Sequence, residues 1–251
     1  MLIAARGQTD VGQKRDNNED AFLVDDDLRL YVVADGMGGH AGGGTASRIA
    51  VQTIQARMRV AREAAPASFT SSGTLEESGI PDLLREAVES ACENIYQAAQ
   101  GDPALAGMGT TVTAAVVAGT NVFVGHVGDS RCYLARRGRI YQISEDHSLV
   151  NEQLKAGAIT PDEARHSRLK NIITRSVGFE SEVAVDLMGL EAEAGDRFVI
   201  CCDGLSNLVD DQEILEIVSG VPLEKAPQRL IDLANDRGGD DNITVIVIHL
   251  S

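Results

Sequence analysis

The chain has 251 residues, a net charge of −16, 43% hydrophobic residues and no tryptophan. That length supports one large domain with a substantial core, or at most two small ones. The acidic balance argues against a nucleic-acid backbone as partner, and no apolar run approaches the ~20 residues of a membrane span.

Residues 1–6 are too short and too soon polar for a signal peptide, so the sequence reads as soluble and cytoplasmic. Residues 28–35 (LRLYVVAD) predict a strand, followed by a glycine-rich stretch over 36–44. A helix is expected over 45–63, with Ala46, Ile49, Ala50, Ile54 and Met58 on one side. Residues 64–79 have no period and read as a loop. A second helix follows Pro81, with Leu84, Val88, Ala91, Ile95 and Ala98 at helical spacing. Short strands are expected over 110–118, 121–127, 131–136 and 139–143, as an antiparallel meander. Residues 146–178 are polar and irregular, with a capping box at Thr160-Pro161-Asp162-Glu163. Strands over 196–202 and 243–250 enclose two helices, one starting at Asp210 and Glu213, the other marked by Leu223, Ala226, Leu230 and Leu233.

Four acidic stations stand out: Asn18-Glu19-Asp20, Asp35-Gly36, Asp203-Gly204 and Asp241-Asn242. Each is read as the end of a strand-like run, from which a carboxylate can point into a cleft while the adjacent glycine or asparagine turns the backbone away. Carboxylates brought together raise one another's pKa and cost stability unless a cation neutralises them. Oxygen-only ligands suit hard cations, so the pattern points to Mg2+ or Mn2+.

Plainer readings stand beside each motif. Surface acids serve solubility, residues 15–20 suit a solvated turn, and Gly128-Asp129-Ser130-Arg131 suits a hairpin turn. Gly238–Asn242 is also a plausible ordinary turn. Gly36, Gly38 and Ala41 fit a loose dinucleotide fingerprint, but the ribose-binding acid expected about 20 residues on falls inside a helix. His126 and His249 read as satisfied core or edge residues. No zinc-hydrolase histidine pair, nucleophile elbow or P-loop is present. The four cysteines, Cys92, Cys132, Cys201 and Cys202, form no CxxC pair and read as buried thiols in a reducing compartment.

Taken together, the motifs R-x-x-N-E-D (Arg15 to Asp20), A-D-G-M-G-G-H (Ala34 to His40), G-T-T (Gly109 to Thr111), G-D-S-R (Gly128 to Arg131), D-H-S (Asp146 to Ser148), T-R-S-V-G (Thr174 to Gly178), C-D-G-L-S (Cys202 to Ser206) and D-D-N (Asp240 to Asn242) run nearly end to end. In that order the chain resembles the metal-dependent type 2C (PPM) serine/threonine protein phosphatases, in particular their compact bacterial branch. The resemblance implies an α+β fold, a four-layer α-β-β-α sandwich in a single domain over 1–251, with a flap over about 146–178. It implies that Asp35 bridges two Mn2+ or Mg2+ ions, that Asp203 and Asp241 bind the first ion, and that the Gly36 carbonyl and Glu19 serve the second with Asp20 in support. Arg15 resembles the phosphate-binding arginine, and Asp129 a ligand of a third, weaker metal.

The implied reaction is hydrolysis of phosphoserine and phosphothreonine on proteins by hydroxide made from water at the ion pair. Neither Cys201 nor Cys202 is then needed as a nucleophile. The implied partners are phosphorylated proteins, among them a Ser/Thr protein kinase and its substrates, and the chain is expected to be a monomer. Three positions depart from the pattern. Met37 stands where eukaryotic relatives carry a histidine thought to protonate the leaving group, with His40 as the nearby candidate. Gly44 replaces a glutamate, and Asn207 replaces an aspartate of the third metal found in some relatives. The alternative is a non-catalytic regulator that binds phosphoproteins on the same fold; the discriminating feature is the metal-ligand set, and here all the core acids are present.

Overall fold

The computed structural model describes residues 1–38, 42–69, 78–165, 167 and 169–251. Two five-stranded antiparallel sheets pack face to face. The first runs in the order β1 (Ile3–Asp10), β12 (Ile243–Leu250), β11 (Arg197–Cys201), β8 (Arg131–Arg136), β9 (Arg139–Gln142). The second runs β10 (Asp186–Glu191), β7 (Asn121–Val127), β6 (Val112–Ala118), β3 (Leu30–Ala34), β2 (Ala21–Asp25). A small ribbon pairs β4 (Gly36–Met37) with β5 (Gly109–Thr110) at one end of the sandwich.

Strand alternation sends successive side chains to opposite faces, and that builds three buried layers. Between the sheets lie Tyr31, Val33, Ala115 and Val124 from one, with Leu134, Phe198, Ile200 and Ile246 from the other. Outside the second sheet, Leu30, Val32, Ala114 and Val116 pack under α1 (Gly42–Ala64) and α2 (Ile80–Gly101). Outside the first sheet, Val199, Val245 and Val247 pack under α6 (Asp211–Gly220) and α7 (Ala226–Asp236). The result is the expected four-layer α-β-β-α sandwich.

Local chemistry explains the helix boundaries. Pro81 occupies the first turn of α2, where a missing N–H costs nothing. Asp210 and Glu213 form a full capping box at the start of α6. Thr160 and Glu163 bond reciprocally ahead of α4 (Pro161–Arg165). The remaining helices are short: α3 (Leu149–Lys155) and α5 (Asp203–Ser206). Helix α1 begins at Gly42, earlier than the apolar period indicates, and Leu223 packs from outside α7 rather than within it.

The expected meander is the main correction. Strands β6 and β7 pair in one sheet, whereas β8 and β9 pair in the other. Residues 128–130 are therefore a crossing between sheets and not a hairpin turn. Strands β1, β2 and β10 carry little of the expected signal: IAARGQTD and DLMGLE mix charges, glycine and small residues, and each lies at a sheet edge. Among the described residues, no helix is long and apolar enough to cross a membrane.

Phe198 is fully buried between the sheets, whereas Leu2 is 78% exposed. Phe198→Ala should lower the unfolding free energy by about 3–5 kcal/mol, and Leu2→Ala should change it by less than about 0.5 kcal/mol, both read by urea denaturation. Equal effects would contradict this description of the core.

Candidate active site

Antiparallel pairing carries the acids to one end of the sandwich. Ala21 pairs with Ala34, so Asp20, just before β2, stands beside Asp35, just after β3. Cys201 pairs with Val245, and the Cys202 N–H donates to the Thr244 carbonyl at 3.1 Å, so Asp203 after β11 stands beside Asp241 before β12. Thus Asp35 and Asp203 follow strands as expected, but Asp20 and Asp241 precede theirs. The inter-sheet crossing brings Asp129 to the same place: the Asp35 N–H donates to Thr111 Oγ1 at 3.0 Å, and that hydroxyl lies 2.8 Å from Ser130 Oγ.

The electrostatics show how crowded this end is. Burial, then the charges of Asp20, Asp203, Asp129 and Asp241, pushes the Asp35 carboxyl well above the ordinary range. Burial pushes Asp20 up to about 7, with Asp203 and Asp241 adding to it. Burial and Asp241 push Asp203 up to about 6. Asp129 is also raised, by burial and then by Asp203 and Asp146. Among the described residues, Arg15 makes the salt bridge at the rim of this cluster, 2.7 Å from Asp241 Oδ2, and its guanidinium side chain is 54% exposed.

Glu19 sits between this cluster and the start of α1. Its carboxyl is raised by burial, and eased by the Arg15 charge and then by the Gly44 amide. Its backbone is fixed by Asn242 Oδ1, 2.7 Å from its N–H, and by the Ser47 hydroxyl, 2.6 Å from its carbonyl. A Cβ at Gly36 would lie 2.2 Å from the Gly43 carbonyl and 2.4 Å from that of Glu19, so only glycine allows this approach. Gly36 opens a strand rather than a strand-turn-helix unit, which removes the dinucleotide reading. His40 and Ala41 lie outside the described residues.

The donor set fits hard divalent cations. Asp20 Oδ1 and Asp129 Oδ1 are buried with no hydrogen-bond partner among the described residues. A buried carboxylate oxygen without a donor costs on the order of 1–3 kcal/mol or more unless something else engages it. Asp20 and Asp35 oxygens and the Cys202 sulfur lie within 4.8 Å of one another. Cys202 is buried and its thiol is held well above its ordinary range by burial first, then by Asp20 and Asp35.

Several contributors were not singled out from the sequence. Thr244 donates to Asp20 Oδ2 at 2.6 Å and lies 2.7 Å from Thr9 Oγ1. Asn242, already part of the Asp241-Asn242 station, bonds Glu19, Val11 and Asn17 at once. Asn207, expected near a third metal, donates to Asp203 Oδ2 at 3.0 Å. His126 is satisfied as expected, by Thr113 and the Glu145 carbonyl, and burial pushes it down to about 4. His249 is not, since its Nδ1 is buried without a partner among the described residues.

The protein phosphatase 2C family model matches residues 8–240. The chain belongs to the protein phosphatase 2C family. It is 42% identical to a putative protein phosphatase 2C-type protein of Streptococcus pyogenes, over 96% of this chain and 95% of the other. The structure matches the Mycobacterium tuberculosis serine/threonine phosphatase PstP/Ppp with a TM-score of 0.88 at 35% identity, covering all of both chains (100% each). It also matches the catalytic domain of the serine/threonine protein phosphatase PstP in complex with two manganese ions, with a TM-score of 0.85 at 36% identity over 99% of each. As a type 2C phosphatase, the chain carries a fold on which a relative holds a dinuclear metal site.

Raised carboxyls give the metal-free phosphatase a definite pH dependence. Between the ordinary carboxylate range and about 7, the folded chain keeps protons on Asp20 and Asp203 that the unfolded chain has lost. The unfolded state binds fewer protons there, so the stability contributed by these two carboxyls falls as pH rises through that window. In EDTA, the melting temperature should therefore fall from pH 5 to pH 7.5, and Asp20→Asn or Asp203→Asn should flatten the slope. Added Mn2+ should raise the melting temperature most at pH 7.5. A slope unchanged by either substitution would contradict this electrostatic account.

Proposed function

We propose that this metal-dependent serine/threonine protein phosphatase hydrolyses phosphoserine and phosphothreonine on the targets of a Ser/Thr protein kinase, as one catalytic domain spanning residues 1–251. The observation that carries the reading is the convergence of Asp20, Asp35, Asp129, Asp203 and Asp241 at one end of the sandwich, where burial and neighbouring carboxylates raise the first four. Such a cluster is destabilising by itself and becomes favourable only with cations between its members. A non-catalytic regulator would have no cause to keep it intact.

In this reading Asp35 would be the central residue holding Mn2+ or Mg2+. Asp203 and Asp241 would hold the metal on one side, and Glu19, the Gly36 carbonyl and Asp20 on the other. Asp129 serves a third, weaker position, where Asn207 brings no charge of its own. Divalent ions here supply the Lewis acidity that makes water a nucleophile at neutral pH and offsets charge on the phosphoryl group. Arg15, exposed at the rim, binds the phosphoryl oxygens through its planar donor fork. The chain needs no covalent nucleophile: burial pushes Cys201 up to about 12, and Cys202 is held higher than usual as well, so both stay protonated and inert. The phosphatase acts as a cytoplasmic monomer in this account.

Hydrolysis of a phosphothreonine peptide should require Mn2+ or Mg2+ and stop in excess EDTA; undiminished turnover in the chelator would remove the mechanism. Asp35→Asn should lower kcat by about 100- to 1000-fold with a native circular dichroism spectrum. Arg15→Ala should raise KM about tenfold through loss of a charge-assisted hydrogen bond. An unchanged KM would take the phosphate-binding role from Arg15.

A further inference from the structure

The polar segment 146–178 leaves and rejoins the sandwich through a narrow neck. The Leu149 N–H donates to the Ile172 carbonyl at 2.9 Å, and the Thr174 N–H donates to the His147 carbonyl at 2.9 Å. His147 is buried in this neck. The Gly128 N–H donates to His147 Nδ1 at 3.0 Å. An amide can only donate, so Nδ1 carries a lone pair and the ring hydrogen sits on Nε2. That hydrogen faces Asp186 Oδ2 at 3.1 Å, and Arg175 holds the other Asp186 oxygen at 2.6 Å. The His147 backbone N–H also donates to the Gly128 carbonyl at 2.7 Å. One residue therefore grips both polar groups of Gly128.

Gly128 precedes Asp129, and on the far side Ser130 is held by the Thr111 hydroxyl at 2.8 Å and, through its carbonyl, by the Thr113 hydroxyl at 3.2 Å. Gly128 has φ +111, and a Cβ there would lie 2.6 Å from the Thr111 side chain, so no side chain can anchor the position. The Asp129 carboxyl is buried, with Oδ1 unpartnered among the described residues. The aim of that oxygen depends on the turn around it, and His147 holds the Gly128 side of that turn.

We infer that His147 is a positioning residue for Asp129: it locks the Gly128–Asp129 turn to the neck of the 146–178 segment, with Asp186 fixing the ring. The inference rests on the reading of Asp129 as a ligand for the weaker metal position. Partners of this kind, which orient a ligand without touching the ion, typically change metal affinity by about 10- to 100-fold.

The test is calorimetric titration of Mn2+ into the metal-free full chain, comparing wild type with His147→Gln, His147→Asn and Asp129→Asn. The Asn amide oxygen stands near the place of Nδ1 and keeps an acceptor for Gly128. Gln reaches toward the place of Nε2 and keeps only a partner for Asp186. H147Q should weaken the weakest class of Mn2+ sites about tenfold while the tighter sites hold, and H147N should recover most of that loss. D129N should abolish the weakest class. Wild-type titration by H147Q alongside a loss in D129N overturns the inference alone, as does H147N being no better than H147Q. Wild-type titration by D129N overturns the ligand reading of Asp129, and the inference with it. If thermal melting shows H147Q unfolded, Asp186→Ala is read instead: a several-fold weakening of the same class supports the inference, and unchanged binding overturns it.

Discussion

The structure depends on carboxylates being forced together at one end of a β-sandwich. Two antiparallel pairs do this, β2 with β3 and β11 with β12, because antiparallel pairing sets the end of one strand beside the start of its neighbour. Each pair delivers one acid from a strand end and one from a strand start. The strands themselves are fixed by burial of Tyr31, Val33, Phe198, Ile200 and Ile246 between the sheets. The hydrophobic core thereby holds in place a charge cluster that would otherwise fly apart.

Local devices refine this placement without neutralising it. Thr244, Asn242, Thr111 and Ser130 contribute hydroxyls and an amide that orient backbone and carboxyl groups, while Arg15 meets the acids at the rim. The remaining repulsion appears as raised carboxyl pKa values at Asp20, Asp35 and Asp203. Binding of divalent cations at such a site competes with protons, so stability and catalysis draw on one electrostatic imbalance. The thiols beside it are kept out of the chemistry by the same burial that raises the carboxyls.

Much of this was legible in the sequence, for identifiable reasons. Asp35 and Asp203 could be placed because LYVVA and RFVIC are unmistakable strands. The strand over 243–250 already sets Asp241 ahead of β12, whereas Asp20 is harder to place because β2 is short and close to β3, and pairing partners are not written in local pattern. The crossing at 128–130 looked like a hairpin since glycine and aspartate serve both purposes; only the sheet assignment of β8 tells them apart. The roles of Thr244 and His147 were not legible, because each depends on a residue more than a strand away: Asp20 for the first, Gly128 and Asp186 for the second. Family resemblance supplied the role of Asp129 and the division of the ligands between two ions, because residue chemistry alone reads Gly128–Arg131 as a hairpin turn.

Anomalous diffraction at the manganese edge, from crystals grown with Mn2+ near neutral pH, tests the central claim most directly. The account predicts two strong peaks flanking the Asp35 carboxylate, one toward Asp203 and Asp241 and one toward Glu19 and Gly36. Well-ordered acids in their present positions with no anomalous density among them would contradict it.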